Sequence, residues 1–171
     1  MKKALLLVLL AGCASLDRDE CRTANWYAIG LEDGARGRAL DRLGDHRRAC
    51  SEHGVALDAD RYVAGRNEGL KSFCTFQNGY TQGRAGSAYA GACPPETAKL
   101  FLAGHQRGRE LYELHRRHDS LEREITRIKT ALREGIANPR TRAQEVERLE
   151  VTTREAEQVA ELIRRLEASP R

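Results

Sequence analysis

Tyr62-Val63-Ala64-Gly65-Arg66-Asn67-Glu68-Gly69-Leu70 decides the fold class. Its aromatic residue and two glycines recur at three- and four-residue intervals, which puts them on one face of a helix. The same plan returns as Trp26…Gly30…Gly34, as Tyr80…Gly83…Gly86 and as Phe101…Gly104…Gly108. A glycine inside a helix costs roughly 0.5–1 kcal/mol against alanine. A chain that repeats the cost uses the missing side chain, and close approach between helix backbones is the use that fits. A rival reading, short β-hairpins in a repeat, is weakened because these segments lack β-branched residues and strict alternation.

Outward from this stretch, the first glycine segment runs from Asn25 to Gly37, with Trp26, Gly30, Gly34 and Gly37 on one face. Residues 38–54 carry Leu40, Leu43, Ala49 and Cys50 and stop at Gly54, which suits a helix end. Asp58 or Asp60 can cap the helix that holds Tyr62. A turn is expected near residues 73–78, where Asn78 can cap a third segment from Tyr80 to Ala88. Gly91-Ala92-Cys93-Pro94-Pro95 is a break. From Glu96 the fourth segment continues through Leu111, Leu114, His118, Leu121, Ile125, Ile128 and Leu132, a heptad seam. Gly135 to Pro139 interrupts it, and Thr141 with Gln144 offers a capping box for a second helix. Val146, Leu149, Thr153, Ala156, Ala160 and Ile163 keep the spacing, so that helix can fold back on the first. The expected architecture is all-α: a small disulfide-stapled helical domain with Gly-rich helices, followed by a long antiparallel, coiled-coil-like hairpin.

The N-terminus addresses the compartment. Met1-Lys2-Lys3 followed by Ala4 to Leu10 is a positive n-region and a short apolar h-region, far under the roughly 20 residues that span a bilayer. Leu10-Ala11-Gly12-Cys13 resembles the lipobox of bacterial lipoproteins, in which the cysteine sulfur is acylated. The resemblance implies a signal peptide over 1–12, lipidation of Cys13, a tether over 13–20, and anchoring to the bacterial outer membrane facing the periplasm. Ala14-Ser15 after the cysteine lacks the Asp of an inner-membrane retention signal. Several acyl chains make a stable anchor, since each buried methylene contributes about 0.8 kcal/mol.

Four cysteines remain: Cys21, Cys50, Cys74 and Cys93. An even number in an exported chain favours disulfides over metal ligands, and no Cys-x-x-Cys or His pair suggests zinc. Three connectivities are open. Cys74–Cys93 with Cys21–Cys50 is favoured, because each bond then flanks one glycine-bearing segment.

The 171 residues are 40% hydrophobic, 5% aromatic and 32% charged, enough for one modest core and an appendage. The formal charge of +4 includes Lys2 and Lys3, and without them it is 4 − 2 = +2, too small for a nucleic-acid partner. Residues 109–171 hold fourteen Lys or Arg against thirteen Asp or Glu, a mixed solvated face.

Trp26 with Gly30, Asp33-Gly34 and Gly37, then Cys50, Tyr62-x-x-Gly65-x-x-x-Gly69-Leu70, Cys74, and Gly83-x-x-Gly86 leading to Tyr89 and Cys93, resemble the small bacterial lipoproteins of domain of unknown function 2799. The resemblance covers about residues 13–110 and implies compartment and architecture, with no activity attached. It divides the chain into a Cys-stapled Gly-rich domain over 21–110 and a charged hairpin over 111–171.

No catalytic, cofactor-binding or metal-binding motif is found. The five histidines lack ligand spacing, and the Gly-x-x-Gly pairs lack the Lys-Ser/Thr of a phosphate loop. The reading is a non-enzymatic envelope lipoprotein that contacts an envelope protein or itself through 111–171. The alternative is a ligand-binding module or small enzyme acting on an envelope glycan or lipid. Its candidate cleft would gather Trp26, Asp33, Tyr62, Glu68 and Arg84.

Overall fold

The computed structural model describes residues 16–168. Cys13 and the signal segment lie outside the described residues. Among the described residues seven α-helices follow one another: α1 (Arg18–Thr23), α2 (Trp26–Ala35), α3 (Arg42–Ser51), α4 (Ala59–Phe73), α5 (Phe76–Arg84), α6 (Pro95–Glu134) and α7 (Pro139–Ala168). Among the described residues there is no strand, so the all-α expectation is met.

Local chemistry sets the boundaries. Asp17 and Glu20 form a reciprocal capping box. The tether expected over 13–20 therefore gives way from Arg18 to a helix that carries Cys21. Asn25, Asp58 and Thr75 each accept a hydrogen bond from the backbone N–H three residues on, which starts α2, α4 and α5. Thr75, not Asn78, is thus the third cap, and α5 ends at Arg84 instead of reaching Ala88. Asn138 Oδ1 accepts from the Arg140 and Thr141 amides, with Pro139 at the first helical position. This cap takes the place of the box expected from Thr141 and Gln144.

Two compact units emerge, residues 16–74 with Tyr89–Pro94, and Thr75–Ala88 with 95–168. The chain does not divide at residue 110, because α6 runs through that position unbroken.

In the first unit α2 and α4 lie side by side and parallel. A Cβ on Gly30 would stand 2.0 Å from the Tyr62 carbonyl oxygen, and one on Gly34 would stand 2.1 Å from that of Arg66. Reciprocally, Gly65 faces the Tyr27 carbonyl and Gly69 that of Leu31. Numbers rise together along both helices, which fixes the parallel sense. Each glycine Cα–H therefore points at a carbonyl oxygen across the contact, and the backbones touch where side chains would hold them apart. Cys21–Cys50 ties α1 to α3, and Cys74–Cys93 ties the end of α4 to the segment 89–94. Cys21, Trp26, Cys50 and Tyr62 form a buried cluster, with Leu43, Val55 and Leu57 packed around it.

The second unit builds the same contact again. A Cβ on Gly79 would meet the Phe101 carbonyl and one on Gly83 that of His105, while Gly104 and Gly108 face the carbonyls of Phe76 and Tyr80. Gly30, Gly34 and Gly37 thus map in register onto Gly79, Gly83 and Gly86, and Tyr62, Gly65, Gly69 and Phe73 onto Phe101, Gly104, Gly108 and Tyr112. The correspondence includes the chain turns. Gly37 (φ 66) sits under the Phe73 ring and Gly86 (φ 75) under the Tyr112 ring, in a left-handed conformation that side chains resist. The expected pairing of Gly83 with Gly86 on one helix face is corrected accordingly: Gly79 and Gly83 make the contact, and Gly86 lies past the helix end.

Past the glycines, α6 continues and α7 returns antiparallel along it. Arg117 pairs with Glu155, Arg148 with Glu124, and Arg107 Nη2 donates to the Leu166 carbonyl at 3.0 Å. Tyr80, Leu111, Val159 and Ile163 are the buried centre, flanked by Leu114, Leu121 and Leu166. On α7 the buried positions are Thr152, Ala156, Val159 and Ile163. The expected seam shares Ala156 and Ile163 with this one, but Val146 is 41% exposed.

Candidate functional site

Of the residues expected to line a cleft, three come together and Glu68 turns away from them. Trp26, Asp33 and Tyr62 are buried together in the first unit, at 7%, 8% and 0% exposure. Glu68 points outward from α4 and pairs with Lys71 at 2.6 Å. Arg84 belongs to the second unit, where it pairs with Glu167 at 2.8 Å.

What surrounds Asp33 is a closed polar network. Tyr62 Oη donates to Asp33 Oδ2 at 2.8 Å, and His46 Nε2 lies 2.9 Å from the same oxygen. Against a carboxylate the imidazole nitrogen must be the donor, which assigns the proton to Nε2. Burial alone would raise the Asp33 pKa. The hydrogen bonds from His46 and Tyr62, helped by the charge of His46 and Arg42, outweigh it and hold the carboxyl below its ordinary 3.8. Burial and the adjacent Asp33 charge push the Tyr62 hydroxyl far above its ordinary 10.0. The ring of His46 is edge-on to Tyr62 at 5.7 Å between centroids, and its Nδ1 has no partner among the described residues. The network joins α2, α3 and α4, and its chemistry is that of an internal clamp: one carboxylate oxygen, two donors, and little access for a substrate.

Arg66, flanked by the glycines of α4, is 7% exposed. Its Nη2 donates to the Arg38 carbonyl at 2.8 Å. The equivalent residue of the second unit, His105, places Nε2 2.8 Å from the Ser87 carbonyl, one residue past Gly86 as Arg38 is one past Gly37. Both side chains fasten the loop that follows a left-handed glycine. Both stand next to a glycine in the sequence, but spacing alone does not announce this role. Nor does it join His46 to Asp33. The available signal was the four-residue step from His46 to Cys50, which puts His46 on the buried face of α3.

The other candidate surface is the outer side of the hairpin. Val151 and Leu162 of α7 are 50% and 48% exposed. Leu162 borders a shallow concavity lined by Arg154, Glu157, Gln158, Glu161 and Arg165. Glu161 pairs within α7 with Arg164 and Arg165, which lowers its pKa.

Among the described residues no group of three or more His, Cys, Asp or Glu side chains is arranged to hold a metal ion, and no helix is long and apolar enough to cross a membrane. Compared with known proteins, residues 25–110 match the family model described as protein of unknown function (DUF2799). No curated protein and no solved structure gave a match. The matched span runs from the cap of α2 into α6 and takes in both glycine-built helix pairs, while most of the hairpin lies beyond it.

Proposed function

We infer that this chain, which belongs to the DUF2799 family of proteins of unknown function, is a non-enzymatic interaction module of the bacterial envelope: lipid-anchored through Cys13, with the α6–α7 hairpin as its contact surface. The observation that carries the reading is the use to which the buried groups are put. All eight helix-facing glycines of the two pairs are filled by an opposing carbonyl, and Asp33 is spent on His46 and Tyr62. The outer side of the hairpin stays open, and its 30-residue α7 carries exposed Val146, Val151 and Leu162 among mixed charges. Large side chains on an otherwise charged helix that stands outside the family-matched span fit a surface made for contact.

The anchor rests on the sequence from Met1 to Cys13, and the two disulfides support an oxidising compartment. A Cys13→Ser variant should lose incorporation of a labelled acyl chain and leave the membrane fraction. Retention of label would overturn the anchor. For the contact surface, a photocrosslinking residue is placed at exposed hairpin positions such as Ser120 and Val146, and at Arg47 and Glu68 of the first unit, in the full chain in cells. Protein adducts from the hairpin positions that exceed those from the first unit support the reading, and adducts confined to the first unit would overturn it.

A further inference from the structure

We propose that the outer face of α7 pairs antiparallel with α7 of a second copy of this chain. The inference rests on the hairpin being the contact surface and names its occupant. Val151, Gln158 and Leu162 share one stripe, at steps of seven and four residues, on a side of α7 away from the buried Ala156 and Ile163. Beside that stripe the charges read Glu147, Glu150, Arg154, Glu157, Glu161 and Arg165. Four of them, Glu150, Arg154, Glu161 and Arg165, form a palindrome of opposite signs about residues 157 and 158. Turning one α7 over onto another about that point sets Arg154 against Glu161 and Glu150 against Arg165, each pair made twice by the twofold axis. The same rotation sets Val151 beside Leu162 of the partner, so the aliphatic residues that water now covers are buried together.

Glu150, Arg154 and Glu161 can take these partners, and Arg165, already paired with Glu161, is exposed enough to exchange. Neither Glu150 nor Arg154 has an ion pair among the described residues, and Arg154 makes only a 3.4 Å contact to the Glu150 carbonyl. The pairs that engage Glu161 within α7 are exposed i,i+3 and i,i+4 contacts, worth little and readily exchanged. On the opposite flank, Arg148 and Glu155 already hold α6. A mixed, self-complementary strip selects a second copy over a partner of single charge sign, and specifies the antiparallel sense, since a parallel pair in register would oppose like charges.

The test uses the full chain in cells that export it. In a Gln158→Cys variant the introduced thiols meet beside the axis, and an oxidised dimer should appear on non-reducing gels well above the level of the parent chain. Ser120→Cys on α6 should not produce it. Adding Arg154→Glu to Gln158→Cys should lower the dimer several-fold, and adding Glu161→Arg as well should restore it. Helical content by circular dichroism checks that each variant folds. No dimer above parent level, or a double charge swap no better than the single, would overturn the proposal. Photocrosslinks from the hairpin to a different protein without this dimer would overturn it too, while leaving the hairpin reading standing.

Discussion

The two units contain one helix contact built twice and closed in two ways. In the first, α2 and α4 meet through Gly30, Gly34, Gly65 and Gly69; in the second, α5 and α6 meet through Gly79, Gly83, Gly104 and Gly108. Around the first contact stand two disulfides and the Asp33–His46–Tyr62 network. Around the second, Phe101 replaces Tyr62, Gln82 replaces Asp33, and no disulfide is present. There α6 simply continues, and Leu111, Val159 and Ile163 of the hairpin supply the apolar cover. The difference teaches that glycine spacing fixes how closely two helices meet, whereas the stabilising surround is a separate choice. Short helices need cross-links, and a long helix brings its own core.

The disulfides should produce the largest effect and the plainest break in the comparison. Replacing Cys21 and Cys50 by serine releases a bond of 29-residue separation, which in the chain-entropy picture costs about 3–4 kcal/mol. Amide hydrogen exchange should show α1–α4 losing protection while the α6–α7 hairpin keeps it. Equal loss in both would mean that the second unit leans on the staples of the first, and the two modes of closure would not be separate.

Glycine replacements come next, and they sharpen the comparison by asking whether the two contacts are equivalent. A methyl at Gly34 or at Gly83 would stand 2.1 Å from a backbone carbonyl oxygen, where no side chain can move aside. The helices must separate, at a cost on the order of 3 kcal/mol that exceeds the 0.5–1 kcal/mol gained in helix propensity. Gly34→Ala and Gly83→Ala should therefore lower stability to denaturant by similar amounts, each mainly in its own unit. A neutral result at either position would show that the backbones are not in contact there.

Tyr62→Phe makes the first unit resemble the second at one atom. Losing a hydrogen bond to a buried carboxylate costs roughly 1.5–3 kcal/mol near neutral pH. The pH dependence follows from the two shifts. Asp33 titrates below its ordinary 3.8 when folded, so its contribution is present above that value and is lost as pH falls through the lower, folded one. Tyr62 titrates above its ordinary 10.0, so its contribution is present below pH 10 and fades as pH rises beyond it. The parent should lose stability at both extremes. Tyr62→Phe should lack the alkaline loss, and if it retained all of it the hydroxyl would not be the group concerned.

Much of this was legible before any coordinates. Repeated aromatic and glycine spacing gave helices in close contact, and the cysteine positions suggested the pairing found. Gly79 escaped because Tyr80-x-x-Gly83-x-x-Gly86 imitates the other segments, whereas by glycine register it is Phe76, three residues before Gly79, that takes the place Tyr27 holds in α2. The α7 seam was ambiguous for a physical reason. Leu149, Ala156 and Ile163 belong to two heptad registers, one completed by Val146, Thr153 and Ala160, the other by Thr152, Val159 and Leu166, and only α6 decides between them. The Asp33–His46 bond spans a loop and two helices, and no local rule announces such a pair.

Gly44→Ala is the smallest change and the control for the glycine argument. Gly44 lies in the first turn of α3 with ordinary helical backbone, and a Cβ there would meet nothing within 4 Å. No contact is lost and no strain is added, so only the unfolded chain's extra freedom and the helix propensity remain, both favouring alanine. Stability should rise by about 0.5 kcal/mol, less than mid-helix values because the site is near the end of α3. The sign matters more than the size: the same substitution destabilises at Gly34 and stabilises at Gly44, although both residues sit in helices of the same unit. If Gly44→Ala were as damaging as Gly34→Ala, glycine would be serving the chain through its backbone freedom instead of through the absence of a side chain. The close helix contact would then not be what distinguishes the repeated segments.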